Sequence, residues 1–422
     1  MSPALRAAHT PRVLIVGTVD TKSDEIGFMR EQVLASGGTA LVMDVGVLGN
    51  GSVTPDVRNT EVAAAAGCSL QQVMDSGDEN SAMHLMAQGA SALALKLHAE
   101  GRIDGLLVLG GTMGTDLALD VASVLPLGVP KVVLSTVSFS PLLPPERLPP
   151  DLMMVLWAGG LYGLNSLCRS ALAQAAGAVV GACRVAHAPR FERPVIGMTS
   201  LGSSALKYML HLKPALEQRG YELAVFHTTG MGGRAFESLA AQGRFACVMD
   251  FSLQELVNHL GGSIVSAGAD RLSGAGRAGV PQIVAPGATD MVDYPAWGEM
   301  PARFAGRPAH AHNRLIASVT IDPPMRREVA RDILQRLRAA TGPTALLLPL
   351  AGIEEWDREG QPLHDPQGLA AFMDEIRSLD AGAVRVQALH THINDAGFAR
   401  AALAVLDAWV AEGRVPPGKP TA

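Results

Sequence analysis

The sequence lacks most of the features that announce a specialised function, and each gap removes a class. Its 34 lysines and arginines are scattered among 40 acidic residues, leaving a formal net charge of −6. Without a basic stripe there is no electrostatic footprint for nucleic acid or an anionic membrane, and neither is expected as a partner. The four cysteines, Cys68, Cys168, Cys183 and Cys247, lie far apart with no C-x-x-C pair, which argues for free buried thiols. The opening MSPALRAAHTPR has no apolar signal-peptide core, and the longest low-charge run, Ser170 to Cys183, is Ala/Gly-rich and too short to cross a bilayer. A cytoplasmic protein is expected. The first loop carries no G-x-G-x-x-G, no Gly-Lys-Ser/Thr closes a Walker A turn, and no G-x-S-x-G elbow occurs, so a Rossmann dehydrogenase and a hydrolase triad are disfavoured.

What is present is length and repetition. A chain of 422 residues exceeds one ordinary core, so two domains are expected. The stretch from Arg12 to Gly38 sets the pattern: Val13 to Val16 make an apolar run, Gly17 to Lys22 a polar turn, and Ser23-Asp24-Glu25 opens a helical pattern. Such a turn lies at the carboxyl end of a parallel strand, where ligands bind and a following helix offers N–H groups to an anion. Lys22 adds a positive charge there. Thr18, Asp20 and Thr21 add oxygens suited to a hydrated magnesium ion or a ribose, so the turn predicts a phosphorylated ligand.

Asp104 to Thr115 repeats the arrangement, with Gly110, Gly111 and Gly114 in a second turn able to wrap phosphate. Pro130 to Ser138 adds a strand ending in Ser135 and Thr136, either as ligand contacts or as caps of the next segment. From Arg193 the order recurs: strand, Thr199-containing turn, helix, strand and glycine-rich turn. The reading is therefore α/β throughout, two domains with parallel sheets over 1–186 and 193–414, and a disordered tail at 415–422. A crevice between the domains is the expected ligand site.

The second half holds most of the polar groups that could do chemistry. His227 ends a strand, and Thr228, Thr229, Gly230, Gly232, Gly233 and Arg234 lead into a helix, a combination suited to a substrate carboxylate or phosphate with His227 as general base. His390 and His392 would share a face of an extended segment, with Asp395 as a third candidate metal ligand; surface polarity or hydrogen bonding within a domain interface is the more ordinary origin of such a pair. His310 and His312 fall in a loop or helix start.

Four segments, GTVDTKSDE, LGVPKVVLSTV, GYELAVFHTTGMGGRAFESL and LHTHINDAGFA, resemble the amino-terminal half of the tomato mosaic virus resistance protein family and its uncharacterised bacterial and fungal relatives. The resemblance spans about Arg12 to Val410. It implies two tandem Rossmann-like domains, binding of ATP with Mg²⁺, and a homodimer. It places the nucleotide against Thr18, Asp20, Thr21 and Lys22 and against Gly110, Gly111, Thr112, Gly114 and Thr115, with Ser135 and Thr136 nearby. The antiviral activity is not carried over. Three functions remain open: an ATP-dependent ligase or kinase acting on a small carboxylic or phosphorylated metabolite, a metal-dependent hydrolase or lyase built on His390, His392 and Asp395, and a non-catalytic nucleotide-binding interaction protein.

Overall fold

Runs of Val, Ile and Leu buried on both faces need no polar alternation, which is why they form the interior strands of parallel sheets. In the computed structural model, which describes residues 10–419 and only the backbone at 203–206, the chain divides between Arg190 and Phe191 into two units. The first contains β1 (Arg12–Gly17), β2 (Thr39–Asp44), β3 (Gly105–Gly110), β4 (Lys131–Ser135) and β5 (Leu152–Leu156), all parallel in the order β2-β1-β3-β4-β5. Parallel neighbours require crossovers, and here all but the β4–β5 connection run through α-helices, with helices packed on both faces. Met86, Leu97 and Leu117 of helices Glu79–Ala99 and Thr112–Val124 close one core. Ile26, Met29 and Val179 of helices Val19–Ala35 and Ser166–Val185 close the other.

The second unit adds β6 (Val195–Ser200), β7 (Glu222–His227), β8 (Cys247–Asp250), β9 (Gln282–Val284), β10 (Met291–Pro295), β11 (Ala309–Ala311), β12 (Ile316–Thr320), β13 (Thr344–Pro349) and β14 (Arg385–Leu389). Six of these form a parallel sheet, β14-β13-β9-β8-β6-β7. Counted from its own first strand, this unit runs in the same order as the first unit with one strand more. Each is a doubly wound, Rossmann-like α/β domain. Between β9 and β13 the chain inserts a small antiparallel sheet, β10-β12-β11. His310 therefore lies in strand β11, not in a loop or helix start; a three-residue strand is too short to show a period.

The tail expectation also needs correcting. Val415 is fully buried in the core beneath helices Gly202–Gln218 and Ala396–Ala411, Tyr221 Oη donates to the Pro416 carbonyl at 2.8 Å, and the Lys419 N–H to Gly220 at 2.9 Å. One apolar side chain among prolines anchors the segment. Residues 420–422 lie outside the described residues.

Gly89 sets a test of packing against propensity. It sits buried in the middle of helix Glu79–Ala99, where glycine costs about 1 kcal/mol relative to alanine. A Cβ there would lie 1.9 Å from the Val62 carbonyl oxygen of helix Asn59–Ala65. Backbone cannot yield as a side chain end can, so Gly89→Ala is expected to destabilise the first domain by about 1–3 kcal/mol in denaturant unfolding, against the sign that propensity predicts.

Candidate functional site

In a doubly wound sheet of order 2-1-3-4-5 the loops after the first and third strands part company, and the crevice between them takes ligands. The first domain has a cavity of about 330 Å³ at that place. One wall is the turn after β1, with Thr18, Asp20, Thr21 and Lys22; the other is Gly110 to Gly114 after β3. The floor is apolar, made by Val45, Val47, Met83, Met86, Val108 and Leu117.

Each wall has a local cause. Thr18 is the extended residue before helix Val19–Ala35, and the helix is kinked at Lys22, whose φ and ψ are −132° and 27°. Thr18 Oγ1 and Thr21 Oγ1 are hydrogen-bonded at 2.7 Å. Lys22 Nζ reaches the Leu161 carbonyl at 2.5 Å and lies 4.9 Å from the centroid of the Tyr162 ring. Asp20 Oδ2 accepts the Leu48 N–H at 2.7 Å, while its Oδ1 is shielded from solvent and has no partner. On the opposite wall, a Cβ on Gly110 would stand 2.5 Å from Gly114 Cα, so the strand end and the helix start can touch only as glycines. Helix Thr112–Val124 begins at Gly111, which has no side chain to satisfy the first N–H groups. Uncapped helix N–H groups, one ammonium and a carboxylate are together the kind of set that can take a phosphorylated ligand with a hydrated magnesium ion.

Not every expected residue belongs to this cavity. Thr115 is fully buried and its Oγ1 is held by the Gly111 carbonyl and by Ser135 Oγ, both at 2.6 Å. Thr115 and Ser135 thus join β4 to the adjacent helix, and neither Ser135 nor Thr136 lines the cavity. Asp44 accepts the N–H groups of Val19 and Gly46 at 3.0 and 2.8 Å; burial, with Asp20 nearby, pushes its carboxyl above the ordinary range. Met83 and Met86 belong to the core of this domain and also line the floor. Nothing in a Met-rich helical stripe distinguishes a cavity wall from a core.

In the second domain the glycine turn after β7 is already filled by the protein itself. Glu255 Oε1 accepts the N–H groups of Gly230 and Gly233 at 2.6 and 3.0 Å, where a substrate anion was expected. Arg234 is committed to both oxygens of Asp270 at 2.8 and 2.9 Å. Thr228 is buried against the Ser200 carbonyl and Ser252 Oγ. His227 stands exposed at the end of edge strand β7 and does not line the pocket at the end of β8. Thr229 and Gly232 remain part of this turn, whose shape serves Glu255. A Cβ on Gly232 would lie 1.8 Å from the His227 carbonyl.

Glu255 belongs to a buried brace that spacing does not announce. Arg271, fully buried, spends all five N–H groups. Its Nε donates to Glu255 at 3.1 Å, Nη1 to Glu237 and Asp250 at 3.0 and 2.5 Å, and Nη2 to Asp250 and the Ser252 carbonyl at 2.7 and 2.9 Å. Burial pushes Glu255 up to about 7 and also raises Glu237, against the pull of Arg271. Thr199, matched in sequence with Thr18, is buried inside β6 and donates to Asp250 at 2.7 Å. The N-cap position equivalent to Thr18 is Leu201.

The histidine–aspartate metal site does not form. His390 is exposed, and His392 is buried with both ring nitrogens engaged. Its Nδ1 accepts the Asn394 N–H at 3.1 Å, which puts the proton on Nε2, shared between Asp357 Oδ1 and the Glu354 carbonyl at 3.0 Å each. Asp395 turns to Arg358 at 2.8 Å. Among the described residues no group of three or more His, Cys, Asp or Glu is placed to hold a metal ion. The four cysteines are free, as their spacing implied, but only Cys168 and Cys247 are buried while Cys68 and Cys183 are half-buried; no helix among the described residues is long and apolar enough to cross a membrane.

Fold and cavity together define a tandem doubly wound α/β protein with a crevice at the switch point of its first sheet. The chain belongs to the uncharacterised protein family UPF0261: the family's N-terminal domain matches residues 11–188 and its C-terminal domain residues 193–410. A UPF0261 protein of Brucella melitensis is 56% identical over 413 residues, covering 97% of this chain and 99% of that one. One of Clostridium tetani is 33% identical over 92% of this chain and 96% of its own. The ToMV resistance protein Tm-1(GCR237) of Solanum lycopersicum is 27% identical over 94% of this chain but only 56% of its own length, in keeping with the resemblance read from the four segments.

Proposed function

We propose that the first domain binds ATP with Mg²⁺ and that the protein is an ATP-dependent enzyme of small-molecule metabolism, of the ligase or kinase class. The observation that carries this reading is the crevice of about 330 Å³ that Asp20, Lys22 and the uncapped helix start at Gly111 line beside an apolar floor. A nucleotide divides in the same way, with an apolar planar base at one end and a multiply charged phosphate chain at the other. Met83 and Met86 would pack on the base, since thioether chains adapt to a flat partner. Lys22 and the Gly111–Gly114 N–H groups would meet the phosphates, and Asp20 the metal, which usually takes one or two carboxylates and leaves its other positions to phosphate and water. Bound magnesium would supply charge neutralisation along the phosphates.

Binding of ATP·Mg²⁺ at a hundredfold excess over Kd should stabilise the first domain by about 2.7 kcal/mol, a rise of roughly 5–10 °C in the melting temperature of a domain this size. Lys22→Ala should remove most of that shift while leaving the melting temperature of the free protein nearly unchanged, because Lys22 is bonded to one loop carbonyl. An equal shift in the variant, or none in the native protein with any nucleoside triphosphate, would end this reading.

A further inference from the structure

The second domain has its own small cavity, at the carboxyl edge of its sheet, that the first domain's ligand does not explain. Its walls are largely apolar and aromatic, including Leu201, Tyr208, Phe251, Trp356 and Ile393, and its volume of about 30 Å³ holds about two waters or a short polar head with its first carbon. One charged side chain lines it. Glu354 is 4% exposed; its Oε2 accepts the Trp356 N–H at 2.7 Å, while its Oε1 is buried without a partner. Next to it lies Asp290, wholly buried, with both carboxylate oxygens unpartnered; the buried Arg326 guanidinium offsets part of its charge without a hydrogen bond to it, and its Nε is unpartnered too. The loop that brings Asp290 there passes along the cavity wall through Ala288, a non-glycine residue at φ +54°. Backbone strain of this kind persists where the surroundings impose it, characteristically at ligand sites.

Three orphaned acceptor atoms ask for a partner that brings donors. Buried carboxyl oxygens are costly without one. Aromatic walls favour a cation over a neutral donor. The donor set does not suit a metal ion, since no group of three ligating side chains converges among the described residues. We propose that this cavity receives the ammonium head of a small primary amine, with Glu354 as its direct acceptor and Asp290 as the charge behind it.

The groups facing Glu354 are Asp290, Asp357 and Glu355; Arg326 and Asp365 lie beyond Asp290, and His392 is held against Asp357. Burial and these neighbouring carboxylates push both Glu354 and Asp290 above the ordinary carboxyl range. An ammonium would reverse that, so its binding should expel a proton to the buffer. His310 and His312 lie against the Trp356 ring, with centroids 4.4 and 5.7 Å away, at the rim.

The test is titration calorimetry on the full chain with methylammonium and ethylammonium chloride, in buffers of different ionisation enthalpy, beside potassium chloride and tetramethylammonium chloride. The expected result is one saturable site for the two primary amines, with proton release and affinity rising with pH, at least tenfold weaker in Glu354→Gln and in Asp290→Asn. Tetramethylammonium, which has no N–H, and potassium should not compete. Absence of saturation by both amines, equal binding in a folded Glu354→Gln or Asp290→Asn protein, or equal competition by potassium or tetramethylammonium overturns the proposal. None of these outcomes depends on nucleotide binding in the first domain.

Discussion

Arg271→Met is expected to lower the melting temperature of the second domain by roughly 6–20 °C, from a loss of about 3–5 kcal/mol. Arg271 is the single cation among three buried carboxylates, Glu237, Asp250 and Glu255. Methionine fills similar space but leaves those charges facing one another in a poorly polarisable interior. Uptake of protons would relieve part of the repulsion, so the variant should regain stability as pH falls toward 5. Adding Glu237→Gln and Glu255→Gln to Arg271→Met should recover a large share of the loss, because a neutral network avoids the uncompensated charge. Differential scanning calorimetry at two pH values measures both effects. A change below 1 kcal/mol in Arg271→Met would mean that the brace is solvated and not structural.

The second large effect is a pH dependence centred on Glu354. Its carboxyl and that of Asp290 are raised by burial and by neighbouring carboxylates, so the folded state holds protons that the unfolded chain has given up. Stability from such a raised pair is fully present below the unfolded values, near pH 4, and is lost as pH rises through the folded values. Each such proton contributes a slope of up to about 1.4 kcal/mol per pH unit. Second-domain stability in urea should therefore decline from pH 5 to pH 8. Glu354→Gln, which keeps the shape and cannot ionise, should flatten that decline and be the more stable protein at pH 8. An unchanged slope in the variant would place the ionisation elsewhere.

Much of the architecture could be read from pattern. β1 and β3 are runs of Val, Leu and Ile closed by Gly17 and Gly110. Residues buried on two faces must be apolar throughout, and the chain must turn where they stop. The first-domain crevice followed from the same logic, because turns at carboxyl strand ends share one edge, and both Lys22 and Gly111 were placed there. Thr115 and Ser135 show the limit of that logic: the sequence leaves Ser135 open between ligand contact and cap, and a hydroxyl near a strand end looks the same whether it faces a ligand or, as here, ties a helix to a sheet. The glycine turn after β7 shows that limit most clearly. Gly230 and Gly233 do form an anion site, and only the fold reveals that Glu255, more than twenty residues away, fills it.

Local pattern alone fixed the alternation of strand and helix, the repetition of one topology in two domains, and the position of the first cradle, because these depend on short-range periodicity and on the rule that parallel strands need crossovers. Tertiary structure decided which polar groups were already satisfied: Arg271 among three acids, His392 on Asp357, Arg234 on Asp270. It also decided which buried atoms were left wanting a partner, among them oxygens of Asp20, Asp290 and Glu354. Hydrogen-bond satisfaction is set by contacts across long sequence separations, and no spacing between neighbouring residues encodes it.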